Sequence, residues 1–190
     1  DIIYMDAAAS SLKPNNVIRA QVDFLENKYA NSGRGICKRS ADVDNSVLNV
    51  REKVANFIGT SANHIVFTSG ATDGLNRVVR ILDNSNFISD NSNLVVSDLD
   101  HHSARLPWHI LSGEKNLNIS LFKLDSDFNL STDNLDKVDI AVITAMSNVL
   151  GNKQDIKNIV KKIKQINPNA ITIVDACQYV IHCPINVKEW

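Results

Sequence analysis

The stretch I-T-I-V-D-A-C-Q, residues 171–178, decides the fold. Its first four residues are mostly β-branched and apolar, which predicts a buried strand of a parallel sheet with both faces covered. Ligands of open α/β sheets bind at the carboxyl ends of the strands, so Asp175 lies where a binding site would lie. Taken alone, the stretch is also typical of a strand-end aspartate that only caps the following turn.

The rest of the chain repeats this pattern of a short apolar strand, a polar turn and a helix. The alternation predicts an α/β fold, with a mostly parallel sheet and helices on both faces. The predicted strands are residues 64–68, 94–97, 118–124, 139–144 and 171–174. A helix is predicted at residues 131–137, after the third strand, and another at residues 154–166, after the fourth.

Composition excludes several function classes. The 190 residues are 44% hydrophobic and 22% charged, as in ordinary globular proteins, and the net charge of −1 gives no electrostatic case for nucleic acid or a membrane surface. No apolar run approaches the roughly 18 residues that span a bilayer.

The three cysteines are odd in number and lack metal-site spacing, which suits a reducing compartment and predicts a cytoplasmic protein. The chain opens at Asp1 without Met, so we expect residues upstream.

Polar residues follow the carboxyl end of one predicted strand after another. A Gly-Ala-Thr turn at residues 70–72 opens a helix, and its backbone N–H groups and Thr72 hydroxyl suit a phosphate. Each group alone has an ordinary explanation as a cap or turn, and adjacent histidines point apart, which disfavours a metal site. Together they predict a site for a phosphate, a flat ring and a protonated ring nitrogen, as pyridoxal phosphate requires. The other groups are His101, His102, Ser147, Asn148, Asp175 and Gln178.

Six motifs, in their order and spacing, resemble those of class V aminotransferase-type enzymes of fold type I. The closest resemblance is to cysteine desulfurases of the selenocysteine-lyase-like branch, and it runs from Tyr4 almost to Trp190. It implies the N-terminal part of such an enzyme. The motifs are D-A-A-A-S-S-L-K-P (6–14), R-G-I (34–36), F-T-S-G-A-T-D-G-L-N (67–76), D-H-H-S-A-R-L-P-W (100–108), S-N-V-L-G (147–151) and V-D-A-C-Q (174–178).

The resemblance implies a role for each matched residue. His101 would stack on the pyridine ring and shuttle protons, and Asp175 would pair with the pyridinium nitrogen, since a carboxylate beside it favours the charged form. The implied pyridoxal-phosphate contacts are Ala71 and Thr72 at the phosphate, Asn148 and Gln178 at the phenolic oxygen, and His101 and Asp175 at the ring.

The implied parent activity is cleavage of cysteine to alanine, with the sulfur passed to an enzyme thiol, as in iron–sulfur cluster assembly. The implied partners are an amino-acid substrate and a second copy of the chain in a homodimer. Two alternatives stay open. One is a class V aminotransferase, epimerase or lyase acting on another amino acid. The other, from a different class, is a non-catalytic remnant of a split or decayed gene.

The sequence departs from the family pattern at four places in the expected site. Gly-Ala-Thr (70–72) replaces the family's Gly-Thr-Thr, and Gly-Arg-Gly (33–35) replaces its His-Arg-Gly. Thr-Ala-Met-Ser-Asn (144–148) replaces its Thr-His-Val-Ser-Asn, and Asp-Ala-Cys-Gln (175–178) replaces its Asp-Gly-Ala-Gln. Such changes are typical of a chain released from selection or of one tuned to another substrate.

The resemblance also implies which parts of the enzyme are missing. The family's Ser-x-His-Lys, whose lysine forms the Schiff base, would lie beyond Trp190, and no lysine here matches it. Residues 1–60 are expected to form an N-terminal segment and helices, and residues 61–190 an incomplete cofactor-binding large domain. The C-terminal small domain, with its nucleophilic cysteine, is expected to be absent. These residues alone are therefore expected to be inactive.

The missing segment predicts an altered sheet. In the family, strands numbered along the chain lie in the order 3-2-4-5-6-7-1, and strands 6 and 7 would follow Trp190. We expect strands 2 to 5 to keep the order 3-2-4-5. The first strand, residues 64–68, is expected to depart most: it would pair beside 171–174, be covered by a second copy, or meet the remaining part of a longer protein.

Overall fold

A computed structural model describes residues 2–190 of the chain, which divides into two compact units. The first contains the residues up to Ile65 together with Ile185–Lys188. The second contains Val66–Pro184 and Glu189–Trp190. Every residue predicted to contact the cofactor lies in the second unit.

The first unit is helical. Helix α2 (Lys38–Ile58) is capped by Gly59, whose φ of 76° is the left-handed conformation that glycine adopts most readily. A Cβ atom there would lie 2.4 Å from Asn186 Oδ1, so the close approach also requires glycine. The Val187 N–H donates to the Ile58 carbonyl at 2.9 Å and ties the segment to the helix end. The helices are α1 (Asn15–Asp23), a π-helical turn (Phe24–Lys28), α2 (Lys38–Ile58) and a 3₁₀ turn (Ala62–His64).

The second unit is built on a parallel sheet. Its strands are β1 (Asn93–Val96), β2 (Asn118–Leu121), β3 (Lys123–Leu124), β4 (Leu130–Ser131), β5 (Ile140–Thr144) and β6 (Ile171–Asp175). Four of them form the parallel sheet, in the order β2-β1-β5-β6, and a separate antiparallel pair joins β3 to β4. The helices are α3 (Ala71–Asn84), α4 (His102–Lys115) and α5 (Ile156–Ile166).

Helices cover both faces of this sheet, as predicted. Alternate residues of a strand point to opposite faces, so β1 sends Val95 to one face and Leu94 and Val96 to the other. Ile143 of β5 packs with Val95 against the apolar side of α5. On the opposite face, α3 and α4 pack through Val79, Leu82, Ala104, Trp108 and Leu111. The α/β prediction is therefore confirmed.

The strand order also matches the prediction, since β2-β1-β5-β6 is the expected 3-2-4-5. The predicted strand at residues 64–68 is wrong. Across residues 2–190, this segment belongs to no strand: it is a 3₁₀ turn followed by extended backbone, with Val66 76% and Phe67 49% exposed. The sheet ends at β6, so the suggestion that the segment pairs beside residues 171–174 is also wrong. A strand needs a neighbour to take its hydrogen bonds, and β-propensity alone does not supply one.

The predicted helix at residues 131–137 is wrong for a different reason. Leu130 and Ser131 form β4, and the buried Gln154 side chain accepts a hydrogen bond from the Leu130 N–H at 2.8 Å. The Ser131 hydroxyl accepts from the Asp133 N–H at 3.2 Å, which closes a local turn. Ser, Thr and Asp side chains bond readily to nearby backbone groups, and here they favour a turn over a helix.

Candidate functional site

Three of the predicted polar groups, which contain His101, Asn148 and Asp175, lie at the carboxyl ends of neighbouring strands. They follow β1, β5 and β6, which are consecutive in the sheet and parallel, so their carboxyl ends lie side by side. Thr144, the last residue of β5, is paired in register with Asp175, the last residue of β6. The Ala145 N–H donates to the Asp175 carbonyl at 2.9 Å and extends this pairing beyond the strands.

Asp175 is half-buried where β6 leaves the sheet. Its Oδ1 accepts a hydrogen bond from the Cys177 N–H at 3.0 Å, which turns the chain and fixes the carboxylate. Gln178 follows three residues later and is also half-buried. A carboxylate held this way can accept a hydrogen bond from a donor on a ligand while its Oδ1 still accepts from the Cys177 N–H.

His101 is exposed and stands at the N-cap of α4. Its Nδ1 accepts from the Ser103 N–H at 3.2 Å and lies 2.8 Å from the Ser103 hydroxyl. These contacts leave the ring exposed to a ligand while holding its orientation through one nitrogen. The His102 ring centroid is 6.2 Å away at an interplanar angle of 59°, so the two rings face different directions.

Asn148 is exposed in the turn that follows β5. The preceding Ser147 is buried, and its hydroxyl accepts from the Val149 and Leu150 N–H groups, each at 3.2 Å. Gly151 closes the turn with a positive φ of 71° and donates its N–H to the Ser147 carbonyl at 3.0 Å. Ser147 therefore shapes the turn, and Asn148 is the residue presented at its surface.

Ala71 and Thr72 are exposed in the first turn of α3, which no side chain caps. The first N–H groups of a helix have no partner within it, so this turn offers donors to an anion. Asp73 brings a negative charge close by, but its carboxylate accepts from the Ser69 N–H at 3.1 Å and pairs with Arg77 at 2.7 Å. The hydrogen bond from Arg77 lowers the pKa of Asp73 the most, and the bond from the Ser69 N–H lowers it further. α3 packs against α4, the helix that His101 caps.

Sequence reasoning missed a buried link between the strand ends. Asp100 is 7% exposed, and its Oδ1 accepts a hydrogen bond from the Thr144 hydroxyl at 2.7 Å. Its Oδ2 accepts from the Ser97 N–H, also at 2.7 Å. The only signal in the sequence is that Thr144 ends one predicted strand and Asp100 lies in the loop after another; a contact across 44 residues of chain leaves no local pattern.

Comparison with known proteins decides the family. The family model described as "Aminotransferase class-V" matches residues 3–190. The chain belongs to the class V aminotransferase family. A cysteine desulfurase of Pectobacterium atrosepticum is 31% identical over 194 aligned residues, covering 99% of this chain and 47% of that protein. The cysteine desulfurase SufS of Plasmodium falciparum is 34% identical, covering 99% of this chain and 36% of that protein.

The apo structure of a cysteine desulfurase from Thermococcus onnurineus NA1 superposes with a TM-score of 0.91 at 29% identity. It covers 99% of this chain and 47% of that one. The fold is therefore that of the class V, fold type I enzymes, which depend in general on pyridoxal phosphate. The chain spans about half the length of the first-named curated relative.

The side chains at the strand ends fit pyridoxal phosphate by their chemistry. A phosphate needs several N–H or hydroxyl donors, and the uncapped first turn of α3 presents them beside the Thr72 hydroxyl. A basic ring nitrogen needs an acceptor held in place, which the anchored Asp175 carboxylate provides. His101 offers an exposed ring on the α4 cap. The departures from the class V pattern remove one hydroxyl, at Ala71, and two imidazoles, at Gly33 and Ala145, without removing these groups.

The cysteines of this class V chain differ in character. Cys177 is exposed, yet the surrounding chain removes part of the hydration of its thiol, and this loss and the Asp175 charge raise its pKa. The Cys37 thiol lies in the first unit, 3.3 Å from the Ser40 hydroxyl, and hydrogen bonds from Ser40 lower its pKa. A thiol beside Asp175 is thus disfavoured as a thiolate nucleophile.

In the part of the chain that the structure describes, no cluster of three or more His, Cys, Asp or Glu side chains is arranged to hold a metal ion. Among the same residues, every helix is too short or too polar to cross a lipid bilayer.

Proposed function

We propose that these residues form the pyridoxal-phosphate-binding half of a cysteine desulfurase. The observation that carries the proposal is the junction of three parallel strand ends, where Asp175 is paired in register with Thr144 and Thr144 is bonded to Asp100. This junction supports a site in which His101 and Asp175 approach the same bound ring. The similarity to several cysteine desulfurases favours cysteine as the substrate over another amino acid.

When bound, pyridoxal phosphate supplies a conjugated ring that stabilises negative charge on a substrate carbon. The residues of this chain would hold and tune it. Asp175 would keep a proton on the ring nitrogen, because a carboxylate there favours the charged form. His101 would cover one face of the ring and carry protons. The remaining proposed contacts are Ala71 and Thr72 with the phosphate, and Asn148 and Gln178 with the phenolic oxygen.

The second unit corresponds, in this proposal, to the large domain, and the 190 residues hold only part of it. They contain no lysine that matches the family's Ser-x-His-Lys segment. We therefore propose that these residues by themselves bind the cofactor through non-covalent contacts and do not cleave cysteine.

The first prediction concerns the mode of cofactor binding. The 190-residue chain is expected to bind pyridoxal phosphate reversibly and to lose it on dialysis, because it contains no lysine that matches the family's Ser-x-His-Lys segment. Pyridoxal without its phosphate is expected to bind at least about tenfold more weakly, since charge-assisted hydrogen bonds at the α3 turn are lost. Equilibrium dialysis of both compounds measures this difference.

Borohydride reduction followed by mass spectrometry provides the control for covalent attachment. We expect only scattered, substoichiometric labelling of surface lysines, equal in the native and urea-unfolded chain. A yellow complex that survives dialysis and traps one lysine in stoichiometric yield would contradict the non-covalent mode.

The second prediction concerns association. The family resemblance implies a homodimer, and exposed apolar side chains such as Ile36, Val66 and Phe67 are the kind of surface that association buries. Sedimentation velocity over a range of concentrations is expected to show a dimer. A single monomeric species at the highest concentration would count against this proposal.

A further inference from the structure

The Asp100 carboxylate holds together two neighbouring strand ends. It bonds to the hydroxyl of Thr144 at the end of β5 and to the N–H of Ser97, which directly follows β1. All three residues are buried. The turn between Ser97 and Asp100 is closed by its own bonds, from the Asp100 N–H to the Ser97 carbonyl at 3.2 Å and from the Leu99 N–H to the Ser97 hydroxyl at 2.9 Å.

This link is costly for the fold. Burial raises the pKa of Asp100 to about 6, because the ionised carboxyl loses its hydration. The hydrogen bonds from Thr144 and Ser97 and the charge of Arg105 oppose that rise without cancelling it. Arg105 is itself paired with Asp98, at 2.9 Å. At neutral pH the buried, ionised carboxyl is therefore less favourable than its protonated form, and the fold carries that cost.

The position of the link connects it to the candidate site. Asp100 immediately precedes His101, whose carbonyl and ring begin α4. Thr144, at the other end of the link, is paired in register with Asp175. A continuous path of contacts therefore runs from the His101 turn across β5 to the backbone of Asp175.

We propose that Asp100 is a positioning residue: through Thr144 it fixes the His101 turn against the ends of β5 and β6, and so sets the spacing between the His101 ring and the Asp175 carboxylate for a bound cofactor. The inference rests on the proposed function, because the spacing serves a bound cofactor. The link itself is a property of the chain without cofactor.

Hydrogen exchange on the cofactor-free chain tests the link. Asp100→Ala removes both acceptors and is expected to speed exchange of the Ser97, Leu99 and His101 amides by about 10- to 100-fold, the effect of losing a hydrogen bond to a charged group. Thr144→Val is expected to give about a tenfold increase at the same amides. Exchange in α5 should stay unchanged, which separates a local opening from a general loss of stability.

Conservative variants provide the rescue. In Asp100→Asn the side-chain oxygen still accepts from Ser97 and the amide group can donate to the Thr144 hydroxyl, so exchange should stay within about threefold of wild type. Thr144→Ser keeps the hydroxyl and should behave likewise. Thr132→Val, a matched change at another buried threonine of the same unit, serves as the control and should leave the Ser97 and His101 amides unaffected.

Equilibrium dialysis of pyridoxal phosphate tests the positioning role. Asp100→Ala is expected to raise Kd by about tenfold, while Asp100→Asn, Thr144→Ser and Thr132→Val stay close to wild type. Unchanged Kd in Asp100→Ala, or faster exchange spread evenly over the second unit, would overturn the positioning role while leaving the proposed function intact. Absence of binding by wild type would overturn the proposed function and this role with it, and the exchange data would then report only whether the link exists.

Discussion

Replacing Asp175 by Asn is expected to weaken the binding of pyridoxal phosphate to this chain by about 10- to 100-fold. The proposed contact is a charge-assisted hydrogen bond between the carboxylate and a protonated ring nitrogen, and such bonds contribute about 1.5–3 kcal/mol. Asparagine keeps an oxygen that accepts from the Cys177 N–H, so the turn after β6 should survive. The change therefore removes charge from the site with little change in shape.

Equilibrium dialysis at constant pH measures this effect, and Asp136→Asn is the matched control. Asp136 is an exposed aspartate of the same unit, outside the proposed contacts. Its replacement should leave Kd unchanged. Equal affinities for wild type, Asp175→Asn and Asp136→Asn would show that Asp175 does not contact the cofactor.

Replacing Asp100 by Asn is expected to change how the free energy of unfolding depends on pH. Burial raises the pKa of Asp100 from the ordinary 3.8 to about 6. Between these values the folded chain binds more protons than the unfolded chain, so the stability of wild type falls as pH rises from about 4 through about 6. The difference between the two pKa values corresponds to about 3 kcal/mol of stability lost above this interval.

The asparagine variant does not titrate and lacks this loss. Its stability relative to wild type should therefore rise by about 2–3 kcal/mol between about pH 4 and about pH 8. Urea unfolding of both chains across this range measures the difference, and groups common to both chains cancel. Parallel stability curves would contradict a buried, ionised Asp100, and a variant that loses stability with rising pH would reverse the sign.

The sheet and its order could be predicted from the sequence because the strands carry their own signal. The runs that end at Val96, Thr144 and Asp175 are short, β-branched and apolar, and each leads into polar residues. The strand order was implied by the resemblance to the family. The strand-end location of His101, Asn148 and Asp175 was predictable for the same reason, since parallel strands place their carboxyl ends together.

The remaining features depend on partners that a local pattern does not reveal. Residues 64–68 have strand composition, but among the described residues they belong to no strand of either sheet. Residues 131–137 were predicted as a helix, but the Gln154 side chain, 24 residues from Leu130, accepts a hydrogen bond from the Leu130 N–H and holds residues 130–131 in a strand. The bond between Asp100 and Thr144 likewise joins distant residues, and a buried acid at a strand end looks in sequence like any turn aspartate.

In the proposed site, Asp175 keeps the ring nitrogen of bound pyridoxal phosphate protonated. The most direct measurement is the nitrogen-15 NMR shift of cofactor labelled at that nitrogen, recorded with excess chain at a pH where the free cofactor's ring nitrogen carries no proton. The expected result is the shift of a pyridinium in wild type and of an unprotonated pyridine in Asp175→Asn. An unprotonated nitrogen in the wild-type complex, or the same protonated shift in both chains, would contradict the claim.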